Sequence, residues 1–283
     1  GAALAALRRF AHVEAFPIPQ EHSRQRFIWD HLRSVVTGKP YTHYVYDSRA
    51  FVERLHHHLN HSDFGIVHVD SMDLVRYLPV LRGRTVACTH HNVESALLRR
   101  RAEVVNNPIA RRYVRFQADR LEHAERNWCN QIALNVTVSE ADADMLRTLV
   151  PTARVVTAPN GVDTTALQPA AGGNQGMVYV GGTTWFPNKD ALHYFGETVL
   201  PEIRALGIED RVCWIGRASA DERAEADSSY GIHMTGWVDD FQPYVRDAAC
   251  YVVPIRVGGG TRLKILDAWA MGKAVVSTLI GCE

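Results

Sequence analysis

Near its C-terminal end the chain runs Tyr251-Val-Val-Pro-Ile-Arg-Val-Gly-Gly-Gly-Thr-Arg-Leu-Lys-Ile-Leu-Asp-Ala-Trp-Ala-Met-Gly-Lys-Ala-Val-Val-Ser-Thr278. No other stretch limits the fold so sharply, because it reads in succession as strand, glycine turn, helix and strand. Cys250 to Pro254 is a short apolar run of the kind a parallel strand buried on both faces requires. Gly258, Gly259 and Gly260 form a turn without Cβ atoms, where a ligand can approach the backbone. Thr261 to Met271 has helical spacing, with Leu263, Leu266 and Ala270 on one face, and Gly272 is a natural stop. Lys273 to Thr278 opens the next strand.

The rest of the chain repeats this rhythm. Strands are expected at His12–Phe16, Gly65–Asp70, Thr85–Thr89, Ile132–Val138 and Val155–Thr157, with helices at Ser23–Val36, Ser48–Leu59, Leu74–Leu81 and Glu140–Leu149. A long helical stretch from Val93 to about Trp128 breaks near Asn106-Asn-Pro108. In the second half, strands are expected at Met177–Val180, Val212–Ile215 and Ile232–Thr235, and a helix at Asp239–Ala248. Another helix starts at Pro187-Asn-Lys-Asp-Ala191, with Asn188 as its N-cap. Strands alternating with helices at this spacing argue for an α/β protein with parallel sheets. The loop Gln168–Gln175, rich in Pro, Ala and Gly, reads as a linker, dividing the chain into residues 1–169 and 170–283. Gly1 begins in helical sequence and Glu283 stops just after a strand, so we expect an internal piece of a longer protein.

The glycine turn followed by a helix makes an anion site. Free N–H groups at a helix N-terminus point outward, and the helix dipole favours negative charge there. Lys264 and Asp267 lie three residues apart and project from one face of the first turns. A cation near a phosphate and a carboxylate near ribose hydroxyls is what a sugar nucleotide needs. The plainer alternative is a tight turn beside a surface ion pair, since glycine-rich loops are common at switch points of doubly wound sheets.

Pro254-Ile-Arg-Val-Gly-Gly-Gly-Thr-Arg-Leu-Lys-Ile-Leu-Asp-Ala-Trp-Ala-Met-Gly-Lys-Ala-Val-Val-Ser-Thr278 resembles the nucleotide-binding signature of glycosyltransferase family four. Gly181-Gly-Thr-Thr-Trp-Phe-Pro-Asn188, Thr235-Gly-Trp-Val-Asp239 and Pro159-Asn-Gly-Val-Asp163 are similar to that family as well. The resemblance is firm from Asn160 to Glu283 and looser from Gly65 to Val162. It implies a GT-B fold, with two Rossmann-like domains of parallel strands, here incomplete at both termini. It further implies retaining, metal-independent transfer from a UDP- or GDP-sugar, which is a co-substrate and no resident cofactor. The family's usual pair of glutamates falls here on Gly259 and Asp267. The resemblance implies donor binding by Gly181, Gly182, Gly258, Gly259, Gly260, Thr261, Arg262, Leu263 and Asp267. Arg256 and Lys264, with His91 lining the sugar site, are the expected catalytic groups.

His91 lies in Thr89-His-His-Asn-Val-Glu-Ser95, just after an expected strand, at the sheet edge where ligands of open α/β sheets bind. An imidazole there can hydrogen-bond a sugar hydroxyl or the leaving phosphate, or His90 and His91 can simply cap or pack under the next helix. Other patterns are weaker. His57 and His61 lack a third metal ligand. Asp142-Ala-Asp144 reads as a solvated helix face, because carboxylates two apart diverge. Asn135-Val-Thr137 matches a glycosylation acceptor but lies in an expected buried strand. Arg99, Arg100, Arg101, Arg111, Arg112, Arg115 and Arg120 read as a solvated face balanced by Glu103, Glu122 and Glu125. Their alternative use is contact with a lipid-linked acceptor or a membrane surface.

The 31 basic and 31 acidic residues cancel, so no global field draws the chain to nucleic acid or to anionic lipid. The five cysteines are scattered, which suits reduced thiols. No apolar run would span a bilayer, and the opening residues lack signal-peptide flanks. The expected setting is cytoplasmic, including the inner face of the membrane. The expected partners are a nucleotide-sugar donor and a glycan or lipid-linked acceptor. Two rivals stand beside the transferase: a donor-binding but inactive homologue, favoured by Gly259, and a nicotinamide oxidoreductase. The latter requires a G-x-G-x-x-G spacing that neither glycine cluster has.

Overall fold

The computed structural model describes residues 2–21, 23–169 and 172–282. The division expected at residues 169 and 170 falls on Ala170 and Ala171, which lie outside the described residues. Before them come helices α1 (Ala2–Leu7), α2 (Arg24–Thr37), α3 (Thr42–Val45), α4 (Arg49–His61), α5 (Glu94–Val104), α6 (Pro108–Cys129) and α7 (Glu140–Leu149). Strands β1 (Val67–Asp70), β2 (Val86–His90), β3 (Leu134–Thr137) and β4 (Val155–Thr157) pair in sequence order, all parallel. After them come strands β5 (Met177–Val180), β6 (Val212–Ile215), β7 (Ile232–Gly236), β8 (Cys250–Val253) and β9 (Ala274–Ser277). The helices here are α8 (Phe186–Tyr194), α9 (Leu200–Ala205), α10 (Ala220–Glu225), α11 (Gln242–Asp247) and α12 (Leu263–Ala270). The second sheet is also parallel, in the order β7-β6-β5-β8-β9. The protein is therefore α/β with two parallel sheets, as the alternation of elements predicts.

Local chemistry explains most boundaries. Ser23, Ser48, Asn107 and Ser139 occupy the N-caps of α2, α4, α6 and α7, and each side chain accepts an N–H bond from the first turn. Pro108 starts α6 where the long helical stretch was expected to break, since a proline at the first turn forfeits no helical bond. The central strands of the second sheet are largely apolar, whereas β2 and β3 of the first bury His90, Asn135 and Thr137 beside their apolar residues. The second core gathers Trp214, Tyr179, Phe195, Tyr251 and Ile255, and the Tyr179 and Trp214 rings stack at 3.9 Å. The first core is built on Leu78, Cys88, Val93, Cys129 and Leu146.

Two expectations fail for physical reasons. His12–Phe16 is extended but unpaired, because no described strand lies beside it. Side chains hold it instead, Glu14 taking the Arg54 guanidinium at 2.6 Å and Phe16 meeting Phe51 edge-on. Asp142 is buried, while only Asp144 is solvated. Asp142 accepts from the Ser139 hydroxyl and the Val93 N–H, so its carboxylate serves two helix starts at once.

The order β7-β6-β5-β8-β9 reverses direction between β5 and β8. Ligands of open α/β sheets bind outside the carboxyl ends of strands at such a switch point. Gly181-Gly182 leaves β5 there, and the segment carrying Gly258, Gly259 and Gly260 leaves β8.

Candidate functional site

The glycine turn after β8 lies against the first half of the chain. A Cβ on Gly260, whose φ is +67°, would sit 2.1 Å from the His91 carbonyl oxygen, so only glycine fits there. The Thr261 hydroxyl donates to the Val138 carbonyl at 2.6 Å. Arg100 of α5 donates to the Gly258 carbonyl. The amide of Asn92, oriented by its neighbours, donates to Gly259 O at 2.8 Å and His91 O at 3.2 Å. Arg262 is buried and folds back to donate to the carbonyls of Gly259 and Gly260, and to Ile280 O at 3.3 Å. Between this turn, α5 and α7 only about 10 Å³ of space remains.

The turn is thus polarised. Its carbonyls are held by cationic or amide donors, while the N–H groups of Gly258, Gly259, Gly260 and Thr261 have no acceptor among the described residues. Backbone N–H groups without acceptors beside a helix start are receptive to an anion.

Lys264, in the first turn of α12, points inward beneath this turn. Its ammonium donates to Tyr179 Oη at 2.6 Å and Asn188 Oδ1 at 3.1 Å, and lies 4.0 Å from the Tyr179 ring centre. No described carboxylate pairs with it. Burial, helped by the charge of Arg262, pushes its pKa down to about 7. The Tyr179 phenol, fully buried, is pushed well above its usual value and donates to Asn188 Oδ1 at 2.5 Å. Asn188 Nδ2 then donates to Gly182 O at 2.9 Å. One chain of hydrogen bonds so joins Lys264 to the turn after β5.

The other expected site residues are distributed as follows. Gly181 and Gly182 pack against Gly216, whose Cβ would come within 2.5 Å of the Gly182 nitrogen. Arg256 forks onto Asp190 at 2.7 and 3.1 Å and lies over the Tyr194 ring, away from the glycine turn. Asp267 is half-buried, with its pKa raised by that burial and no side-chain hydrogen bond to a described residue. Leu263 is half exposed. His91 pairs with Asp70 Oδ1 at 2.9 Å across the ends of β2 and β1, and both side chains are solvent-accessible.

Residues 3–166 match the family model described as Glycosyltransferase Family 4. The chain belongs to that family. Residues 174–283 of this family 4 chain match a second model, Glycosyl transferases group 1. No curated protein matches the sequence. Among solved structures, sucrose-phosphate synthase from Thermosynechococcus elongatus superposes with a TM-score of 0.65 at 15% identity. That match covers 82% of this chain and 60% of the synthase. Anabaena HepE in complex with UDP gives 0.57 at 13% identity, covering 81% of this chain and 62% of that one. Pneumococcal O-GlcNAc transferase GtfA, bound to UDP and GlcNAc, gives 0.57 at 13%, covering 83% and 46%. At these identities the likeness concerns the GT-B fold, and the family 4 chain spans about half to two-thirds of those proteins.

Sequence reasoning missed Asn188, Tyr179 and the acids under His91. Asn188 is no N-cap: α8 begins at Phe186, and the amide is spent on Tyr179, Lys264 and Gly182. The available signal was its place just after Pro187, where a buried amide reads like a cap until its partners are known. Glu94 lies beside Asn92, and Glu125 beneath Ser95. Glu125 is buried and accepts from the Ser95 N–H at 3.2 Å and from the Ser95 hydroxyl. Burial pushes both carboxyls up, with Asp73 and then Glu125 adding to the rise at Glu94. Nor do the arginines form one solvated face. Arg100 reaches Gly258, and Arg101 covers the Phe186 ring at 4.3 Å. Arg99 alone of that trio follows the expected pairing, to Glu122 and Asp119.

Proposed function

We propose that this chain carries the donor and acceptor halves of a retaining, metal-independent glycosyltransferase. It would move a sugar from a UDP- or GDP-sugar to a glycan or lipid-linked acceptor. In this reading the chain divides near residue 170 into two Rossmann-like domains, and the reaction occurs between them. The observation that carries it is the polarised glycine turn at the β5/β8 switch point, with acceptor-free N–H groups and Lys264 beneath. A diphosphate laid on that turn meets fixed donors that need no reorganisation as the leaving group gains charge. Lys264, held near neutrality by burial, takes up a proton as the anion arrives. Asp267, whose carboxylate has no hydrogen bond to a described residue, would accept from ribose hydroxyls. His91, whose carbonyl meets Gly260 and whose imidazole is oriented by Asp70, would hydrogen-bond the sugar or the leaving phosphate once the donor is in place. Because the turn is packed against His91 and Val138, donor entry requires the two halves to separate and reclose.

A thermal-shift screen with nucleoside diphosphates tests this. UDP or GDP at about a hundred times its Kd should stabilise the protein by about 2.7 kcal/mol. AMP and NAD should do nothing. If neither diphosphate raises the melting temperature, the donor assignment fails. Binding without turnover in a sugar-transfer assay would instead favour the inactive homologue, whose support is Gly259 at a position usually held by glutamate.

A further inference from the structure

Glycines in succession make the least constrained backbone a chain can have, since no Cβ limits the rotation of their peptide planes. The run Gly258, Gly259, Gly260 nevertheless holds one orientation, so side chains around it impose that orientation. Arg262, from the second half, takes the carbonyls of Gly259 and Gly260. The other clamps come from the first half. Arg100 of α5 donates to the Gly258 carbonyl, and the Asn92 amide, oriented by its neighbours, donates to Gly259 O at 2.8 Å. A Cβ on Gly259 would lie 3.1 Å from the end of the Asn92 amide, so the absent side chain makes the room that Asn92 occupies.

Peptide geometry gives those clamps a consequence. No peptide bond among the described residues is cis, and in a trans peptide the C=O and N–H point in opposite directions. Drawing the Gly258 carbonyl toward Arg100 turns the Gly259 N–H away from the first half. Drawing the Gly259 carbonyl toward Asn92 does the same to the Gly260 N–H. A cation on a carbonyl also polarises the peptide and strengthens its N–H as a donor. The N–H groups that lack acceptors are thus aimed and strengthened by residues on the opposite side of the cleft.

We propose that Arg100 and Asn92 are positioning residues for the donor diphosphate: they touch no substrate atom, and they orient the glycine turn that does. The inference rests on the donor reading above. It adds that the anion site is complete only while the two halves are in contact. When the halves separate, the turn keeps Arg262 and loses both outer clamps, so it holds a diphosphate weakly. Closure restores the clamps, and affinity and closure are then linked in both directions.

Calorimetric titration of the full chain with UDP and with GDP tests this, together with amide NMR spectra. The parent should bind one of them, and the Gly259 and Gly260 amide protons should move downfield on binding. Arg100→Met should weaken that nucleotide by about ten-fold and Asn92→Ala by a few-fold, each with a smaller amide shift. Arg99→Met removes an equal charge one residue away, from a pair with Glu122 and Asp119, and should leave affinity unchanged. The loss in Arg100→Met should be the same at about 50 mM and about 500 mM salt, because a lost orientation is not screened. Melting temperature without nucleotide reports the fold, and if Arg100→Met does not fold, Asn92→Ala carries the test. Parental affinity in the folded variants overturns the proposal and leaves the donor assignment standing. A loss that vanishes at high salt, or that Arg99→Met shares, makes Arg100 only a distant charge and overturns it equally. If the parent binds neither nucleotide, the donor assignment falls and takes this inference with it.

Discussion

The carboxyl edges of the two sheets gather different buried charges, chiefly acids on the first and, beside Asp190 and Asp267, chiefly cations on the second. Around the ends of β1, β2 and β3 lie Asp70, Asp73, Glu94, Glu125 and Asp142, with His91 set in front of them. Around the ends of β5 and β8 lie Arg256, Arg262 and Lys264, and Arg100 leans across from the acidic side to join them. Each edge handles its burden differently. On the first, burial keeps Glu94 and Glu125 protonated longer than usual, with Asp73 and Glu125 adding to the effect at Glu94. On the second, burial strips Lys264 toward neutrality, leaving an amine whose charge an incoming anion would restore.

The sharpest way to break that comparison is Lys264→Met. The side chain keeps its length but loses its proton, so diphosphate affinity and sugar transfer should fall by about a hundred-fold or more. Stability should rise slightly, because a buried amine lowered from 10.5 to about 7 opposes folding. That opposition is complete below pH 7 and fades as pH rises toward 10.5. Thermal melts with a transfer assay separate the two effects; unchanged transfer would leave the basic edge without its role. Next in size is Gly260→Ala. At φ +67° an alanine costs about 1 kcal/mol in backbone strain. Its methyl would also displace the turn from His91, so transfer should drop by roughly ten-fold or more while each half keeps its fold. A variant with normal kinetics would show that contact between the turn and His91 is unimportant.

Much of this architecture was legible in the residues. Glu140–Leu149, Val155–Thr157, Met177–Val180 and Val212–Ile215 form with the expected bounds, because Ser139 caps the helix and the strands are short β-branched or apolar runs bounded by turns. The glycine turn and the helix after it were readable for the same reason: local backbone chemistry fixes them. Partners distant in sequence were not readable. Nothing near Lys264 announces Tyr179 and Asn188, which lie 85 and 76 residues away. Nothing near Asp142 announces Val93. His12–Phe16 has the pattern of a strand, but a strand exists only beside another. Arg256 sits in the signature itself, yet α8 presents Asp190 to it and the fork closes there.

The acidic edge offers the smallest test, through Glu94. Its carboxyl is pushed up to about 8, by burial first and then by Asp73 and Glu125. Relative to the unfolded value near 4.5, the folded chain holds this proton more tightly. Its contribution to stability is therefore full below pH 4.5 and is lost as pH rises toward 8. Glu94→Gln removes the titration and keeps a side chain able to hydrogen-bond Asn92. Urea melts at pH 6 and pH 9 should show the parent losing stability across that interval and the variant losing less, by about 1 kcal/mol. Sugar transfer should change little at pH 6, where the parent's carboxyl is already neutral, so the effect is separable from catalysis. If parent and variant lose stability equally, the charge on this edge is relieved by solvent. The two edges would then differ in composition without differing in the state of their buried groups.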